Sequence, residues 1–168
     1  HDPHELLETA KLLATPRPTR TGGLAVVTCS GGDSVMTADE ADRLGVPLAE
    51  LTESTHTSLS ELLPDGVVVT NPLDHTNMLW ADTARVRALV ETLAADPGVS
   101  QVLYVQDTPP DLSDADAAEW KDTRDGLVVA DIPGTGKAVA SGLPELMPAP
   151  VAESLAADGV TALAGIPA

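Results

Sequence analysis

Hydrophobic and polar positions change period repeatedly along the chain. Residues 1–14 place Leu6, Leu7, Ala10, Leu12 and Leu13 at helical spacing, with Asp2-Pro3 as a start signal. A polar, proline-broken stretch, Thr15-Pro16-Arg17-Pro18-Thr19-Arg20-Thr21, follows. Leu24 to Cys29 then reads as a continuous apolar strand, the kind buried on both faces of a parallel sheet. Ser34 to Leu44 is helical and ends at Gly45, a left-handed cap. Further strands are expected at 46–51, 67–70, 99–105, 138–140 and 160–163, and helices at 57–63, 81–95, 114–129 and 150–157. The helix at 81–95 is the clearest, with Val86, Leu89, Val90 and Leu93 on one face.

Strands alternating with helices predict an α/β protein. The expected form is three layers, α/β/α, with an open, mostly parallel sheet of five strands in a flavodoxin-like order. Residues 1–21 read as a lead-in helix and linker from a preceding domain, or equally as a first helix that packs back on this one, and 22–168 as the domain itself. The start at His1, without an initiator Met, suggests a processed chain or an excised piece.

Charge narrows the function. The 168 residues carry 26 acidic and 9 basic side chains, a net charge of −17. Such a surface repels phosphate backbones, and Trp80, Tyr104 and Trp120 are the aromatic side chains available to stack on bases, so nucleic-acid binding is not expected. No apolar run is long enough for a membrane span. One cysteine, Cys29, leaves no internal disulfide and no multi-cysteine metal site, and the expected compartment is cytoplasmic. His4, His56 and His75 lack metal-ligand spacing, so no metal is assigned. Pro133-Gly134-Thr135-Gly136-Lys137 resembles part of a nucleotide P-loop, but Asp131 stands where the first glycine is needed and Ala138 replaces the hydroxyl residue.

In open parallel sheets, ligands lie beyond the carboxyl ends of the strands. Three polar junctions fall there: Ser30 to Ser34, Asn71 to Asn77, and Gln106 to Pro110. The first, Ser30-Gly31-Gly32-Asp33-Ser34, allows two readings. Glycines before a helix leave backbone N–H groups open to an anion, as in a phosphate site. The same glycines can merely permit a sharp turn, with Asp33 or Ser34 as the helix cap. In the second junction, Asn71, Pro72 and Asp74 can stiffen the exit and bond neighbouring backbone, as an Asx-type turn does.

These loops carry a family resemblance. The runs GLAVVTCSGGDSVMTADEADRLGVPLAEL and LLPDGVVVTNPLDHT resemble the C-terminal CoA-ligase domain of ADP-forming (NDP-forming) acyl-CoA synthetases, the acetate–CoA ligase family related to succinyl-CoA synthetase. The matching residues are Thr28, Gly31, Gly32, Ala38-Asp39, Leu48 to Leu51, Leu63-Pro64 and Asn71-Pro72-Leu73-Asp74. The resemblance implies a reversible conversion of acid, CoA and ATP to acyl-CoA, ADP and phosphate. It implies a parent enzyme using CoA, ATP or ADP and Mg, with none held by this chain alone. It also implies partner units: a CoA-binding domain, a phosphohistidine domain and an ATP-grasp module. In that scheme, the helix after Gly31-Gly32 stabilises a phosphohistidine carried elsewhere; Ser30 to Ser34 are the phosphate-binding residues, and Asn71, Pro72 and Asp74 the supporting loop. The chain departs from the family pattern at Cys29, where asparagine is common, and at Asp33, where proline or a small residue is common. The competing expectation is a stand-alone α/β hydrolase with Ser30 as nucleophile and His56 or His75 as base. A flavin or phospho-receiver module fits less well, because the loops lack stacking aromatics apart from Trp80 and no aspartate ends the third strand.

Overall fold

A computed structural model describes residues 3–15 and 18–166; Asp2 of the expected helix start and Pro16-Arg17 of the linker lie outside them. The elements are α1 (Pro3–Ala14), β1 (Gly23–Thr28), α2 (Gly31–Leu44), α3 (Glu53–Leu62), β2 (Leu73–Asp74), α4 (Thr83–Ala95), β3 (Val99–Val105), α5 (Asp114–Val129), β4 (Gly136–Ala140), α6 (Ala149–Ala157) and β5 (Thr161–Leu163). The five strands form one sheet in the order β2-β1-β3-β4-β5, and every pair is parallel. This is the flavodoxin-like order expected from the alternation.

Two expected strands are absent, for one reason. Residues 46–51 make only a bridge between Leu48 and Leu24, and 67–70 are irregular. The Asn71 side chain takes the place that another strand's backbone would occupy beside β1. Its Oδ1 accepts from Val26 N–H at 2.9 Å, and its Nδ2 donates to Leu24 O at 2.8 Å and Ala49 O at 3.0 Å. One amide thus satisfies both kinds of ladder group, and regular pairing starts two residues later at Leu73.

Side chains alternate between the two faces of the sheet. Ala25, Val27, Val102, Tyr104, Val139 and Ala162 face the main core with Leu59 of α3, Val86, Leu89, Val90 and Leu93 of α4, Leu127 of α5 and Leu155 of α6. Helices α4 and α5 approach closely because Gly126 lies against Val86; a Cβ there would come within 2.5 Å of the valine side chain. The opposite face, with Leu24, Val26, Leu103, Ala138 and Ala140, lies under α2 and α1. Helix α1 packs on β5 with an inverted polarity. Glu8 is buried and accepts from Ala164 N–H at 2.9 Å, His4 Nε2 lies 2.6 Å from Ala164 O, and Leu6, Leu7 and Leu13 face outward.

Asp96, at the end of α4, ties two connections together. Its carboxylate accepts from Thr52 N–H and Oγ1, Thr55 Oγ1 and Gly98 N–H, all within 2.8 Å. Burial pushes its pKa upward, but these donors outweigh it and bring the group down to about 2.

Replacing Asn71 with Ala leaves Val26 N–H and Ala49 O without that partner, while Leu24 O keeps the N–H of Ala49. It is expected to cost about 2–4 kcal/mol in urea denaturation. Asp96→Asn is expected to cost about 2 kcal/mol at pH 7. A depressed carboxyl contributes stability above its unfolded pKa and loses it on acidification. The gap between wild type and Asp96→Asn should therefore narrow as pH falls from about 4 toward 2.

Candidate functional site

The site is built at the carboxyl end of β1, next to the centre of the sheet. There the chain leaves Thr28, passes Cys29 and Ser30, and enters α2 at Gly31. The expected helix start at Ser34 moves back by three residues, so both glycines belong to the first turn. Ser30, in an extended conformation, is the N-cap, and its Oγ accepts from Asp33 N–H at 3.3 Å. The cap is thus neither Asp33 nor Ser34. Ser34 N–H donates to Ser30 O at 3.0 Å, a normal first-turn bond.

That leaves Gly31 and Gly32. Both are exposed, and neither N–H donates to an acceptor among the described residues. Little blocks the approach: a Cβ on Gly31 would meet only Asp74 Oδ2 at 3.4 Å, and one on Gly32 only Ser30 Oγ at 3.6 Å. Two free N–H groups at the positive end of a 14-residue helix can bind an anion. Gly45 closes that helix in the left-handed conformation expected of it.

Carboxylates oppose this attraction. Asp33 turns toward the strand ends: a Cβ on Gly142 would lie 3.6 Å from Asp33 Oδ1 and 3.3 Å from Asp107 Oδ1. Asp107 accepts from Gly142 N–H at 2.6 Å, and Asp74 accepts from Thr76 N–H at 2.7 Å, the Asx-type turn expected there. Partial burial, then the charge of Asp107, raises the Asp33 carboxyl above its ordinary value, against hydrogen bonds from Ser30 and Thr28 and with a smaller push from Asp74. Cys29 is pushed up to about 11, by burial first and then by Asp33, so its thiol stays protonated at neutral pH.

Around this mouth the three junctions meet as expected. Asn71 is tied to β1 and Pro72 is buried, while Asp74 stands over Gly31. The third junction is anchored from α5: Trp120 Nε1 donates to Asp107 O at 2.8 Å, and Arg124 donates to Gln106 Oε1 at 3.2 Å. Asp107 belongs to the third junction, but no residue pattern announces that β4's exit loop closes over β3's and brings Gly142 against it.

The hydrolase arrangement is not assembled. Ser30 Oγ serves as a cap, and His75 is fully buried with Nε2 at 2.8 Å from Tyr104 Oη. His56 sits in α3, away from this end of β1. No group of three or more His, Cys, Asp or Glu among the described residues is arranged to hold a metal ion.

No family model matches the chain. It is 38% identical over 101 residues to the ADP-forming acetate–CoA ligase I of Archaeoglobus fulgidus, a match covering 60% of the chain. It is 40% identical over 70 residues to the alpha subunit of the ADP-forming acetate–CoA ligase II of Pyrococcus furiosus, covering 42% of the chain. Over these stretches the chain is similar to ADP-forming acetate–CoA ligases. The matches cover only 14% and 15% of the length of those ligases. Among solved structures, a Pyrococcus horikoshii protein matches with a TM-score of 0.77 and 21% identity over 99% of this chain and 37% of that one. A dinucleotide-forming acetyl-coenzyme A synthetase of Ca. Korarchaeum cryptofilum matches with a TM-score of 0.69 and 22% identity, over 99% of this chain and 35% of that one; its complex with phosphate and ADP matches equally well. These structures share the fold.

Asp33→Asn removes a carboxylate held among others without a basic partner. A raised carboxyl pKa opposes folding at neutral pH and ceases to do so once pH falls through the folded value. The substitution is expected to stabilise the chain by a few tenths of a kcal/mol at pH 7, about what a half-exposed charge contributes, with the gain fading as pH falls through the raised folded value and gone below about pH 4. Thermal melts of both proteins at each pH check this.

Proposed function

We propose that the chain is the CoA-ligase-like domain of an ADP-forming acyl-CoA synthetase, and that the N-terminus of α2 stabilises a phosphoryl group in transit. The observation that carries this reading is the pair of free, exposed N–H groups at Gly31 and Gly32, in the turn where the ligase resemblance is most specific. A helix N-terminus offers about half a positive charge, already oriented, so it needs no reorganisation when phosphate arrives. The kinship with ADP-forming acetate–CoA ligases supplies the reaction: acid, CoA and ATP to acyl-CoA, ADP and phosphate, reversibly.

In this scheme the phosphate rides on a histidine of another domain or subunit and meets Gly31 and Gly32 from the solvent side. The carboxylates of Asp33, Asp74 and Asp107 weaken binding of free phosphate, so the chain alone holds it poorly and turns over nothing. Ser30 contributes by capping the helix, which keeps both glycine N–H groups directed outward. Asn71 and Pro72 support the turn by fixing β1, and Asp74 borders it. CoA, the adenine nucleotide and Mg fall to the CoA-binding and ATP-grasp units. No described helix is long and apolar enough to cross a membrane, in keeping with an enzyme working in the cytoplasm.

The test is Gly32→Val in the complete synthetase. The new side chain meets little but would stand over the free N–H, so the fold is kept. ATP formation from acyl-CoA, ADP and phosphate is expected to fall about 10–100-fold with little change in Tm. Undiminished turnover in the variant rejects the role given to α2. Absence of acyl-CoA-dependent ATP formation in the wild-type assembly rejects the reaction itself.

A further inference from the structure

Beside the mouth of the candidate site runs a short strap, residues 74–78, strung between Leu73 and Leu79, which are both fully buried. It lies at the sheet edge, where β2 pairs with β1 alone. Asn77 and Met78 are exposed, and Asp74 and Thr76 half-buried; His75 is the one side chain of the strap turned wholly inward. It fastens the strap twice: its backbone N–H donates to Thr28 O at 2.9 Å, and its ring Nε2 lies 2.8 Å from Tyr104 Oη. Thr76 follows in the left-handed region, φ 57°, which a β-branched residue adopts only at a cost, so the strap is held bent rather than relaxed.

This fastening is sensitive to a single proton. Nδ1 of His75 is buried and makes no hydrogen bond. Protonating the ring would make it a cation with two donors, sealed from solvent. The groups around it do not balance that charge. Tyr104, pushed well above its ordinary pKa by burial and then by Cys29, against Arg124, stays a neutral phenol. Cys29, at the exit of β1, stays a thiol, and Arg124 of α5 is itself a cation. Asp74 turns toward Gly31 and accepts from Thr76 N–H. Burial accordingly holds the His75 pKa below its ordinary value, against smaller pulls from the backbone of Thr76 and of His75 and from the Asp74 charge.

We infer that His75 is an acid-sensitive latch: when its ring takes up a proton from solvent it leaves the core, and the strap lifts from the exit of β1, carrying Asp74 away from Gly31. The device governs access to this end of β1 and stands whether or not α2 handles phosphate.

In the closed strap the ring is held neutral; in the lifted strap it titrates at about 6.5, as an exposed histidine does. Below that pH the lifted form gains a proton that the closed form refuses, so its population climbs by up to about tenfold per pH unit.

Amide hydrogen exchange, read by NMR as protection factors, measures that population. Asp33→Asn serves as the background, because the raised Asp33 carboxyl would add an acid response of its own. Protection of the His75 amide is expected to fall about five- to tenfold from about pH 6 to about pH 5. At both pH values it should lie at least about tenfold below that of Val102 and Tyr104 in β3, which marks an opening smaller than global unfolding. His75→Leu keeps an apolar side chain and takes up no proton, so the amide at position 75 should change by less than about twofold. Protection that does not fall with pH in the background protein overturns the proposal. So does a His75 amide protected as well as β3, which would make the opening that of the whole sheet. A fall that persists in His75→Leu overturns it too; should that variant fail to fold, the first two readings still decide.

Discussion

The amide of Asn71 carries more of this architecture than any other side chain. It holds β1 on the flank where a continuous neighbour strand is missing and ties Ala49 to the same point. Because β1 is thereby fixed, its exit at Thr28 has a defined direction, and so has α2. The candidate site is in this sense made at a distance: the turn that presents free N–H groups is aimed by a bond at Val26, two residues before the strand ends. Asp96 does comparable work at the opposite end of the sheet, where a carboxylate below its ordinary pKa joins the start of α3 to the turn between α4 and β3.

Two electrostatic tendencies meet at the entrance to α2. The helix end attracts anions, and three carboxylates beside it repel them. Their geometry keeps them from cancelling outright. Asp33 leans back toward the strand ends, while Gly31 and Gly32 look outward, so attraction is strongest on the solvent side and repulsion within the cleft. Such a surface suits a charge delivered and withdrawn by a partner better than one stored. On the proposed reading, a tight resident phosphate would hinder transfer, whereas a weakly held one keeps moving.

Much of the fold was legible in the sequence because long amphipathic segments announce themselves. Helix α5 appears at the bounds its pattern predicts, and β3 likewise. The errors fall where a side chain does a backbone's work. The segments at 46–51 and 67–70 look like strands by composition, but the partner they would need is replaced by Asn71, and no periodicity signals that exchange. At the candidate site, a glycine pair beside a helix start was readable, whereas the identity of the cap was not. Ser30, Asp33 and Ser34 are all good capping residues, and only the entry path of the chain selects Ser30. The approach of Asp107 and Gly142 depends on β3 and β4 pairing side by side, a long-range fact outside any local pattern.

Helix α1 has a consequence of its own. Strand β5 ends the sheet, and a terminal strand offers unpaired backbone groups on which another chain can build. The carboxylate of Glu8 and the imidazole of His4 occupy the N–H and the carbonyl of Ala164, just past that strand. The helix therefore behaves as an edge guard, and its charged inner face is the cost of that duty. A fragment trimmed to begin at β1 would keep the main core yet bare this border, inviting strand-by-strand aggregation.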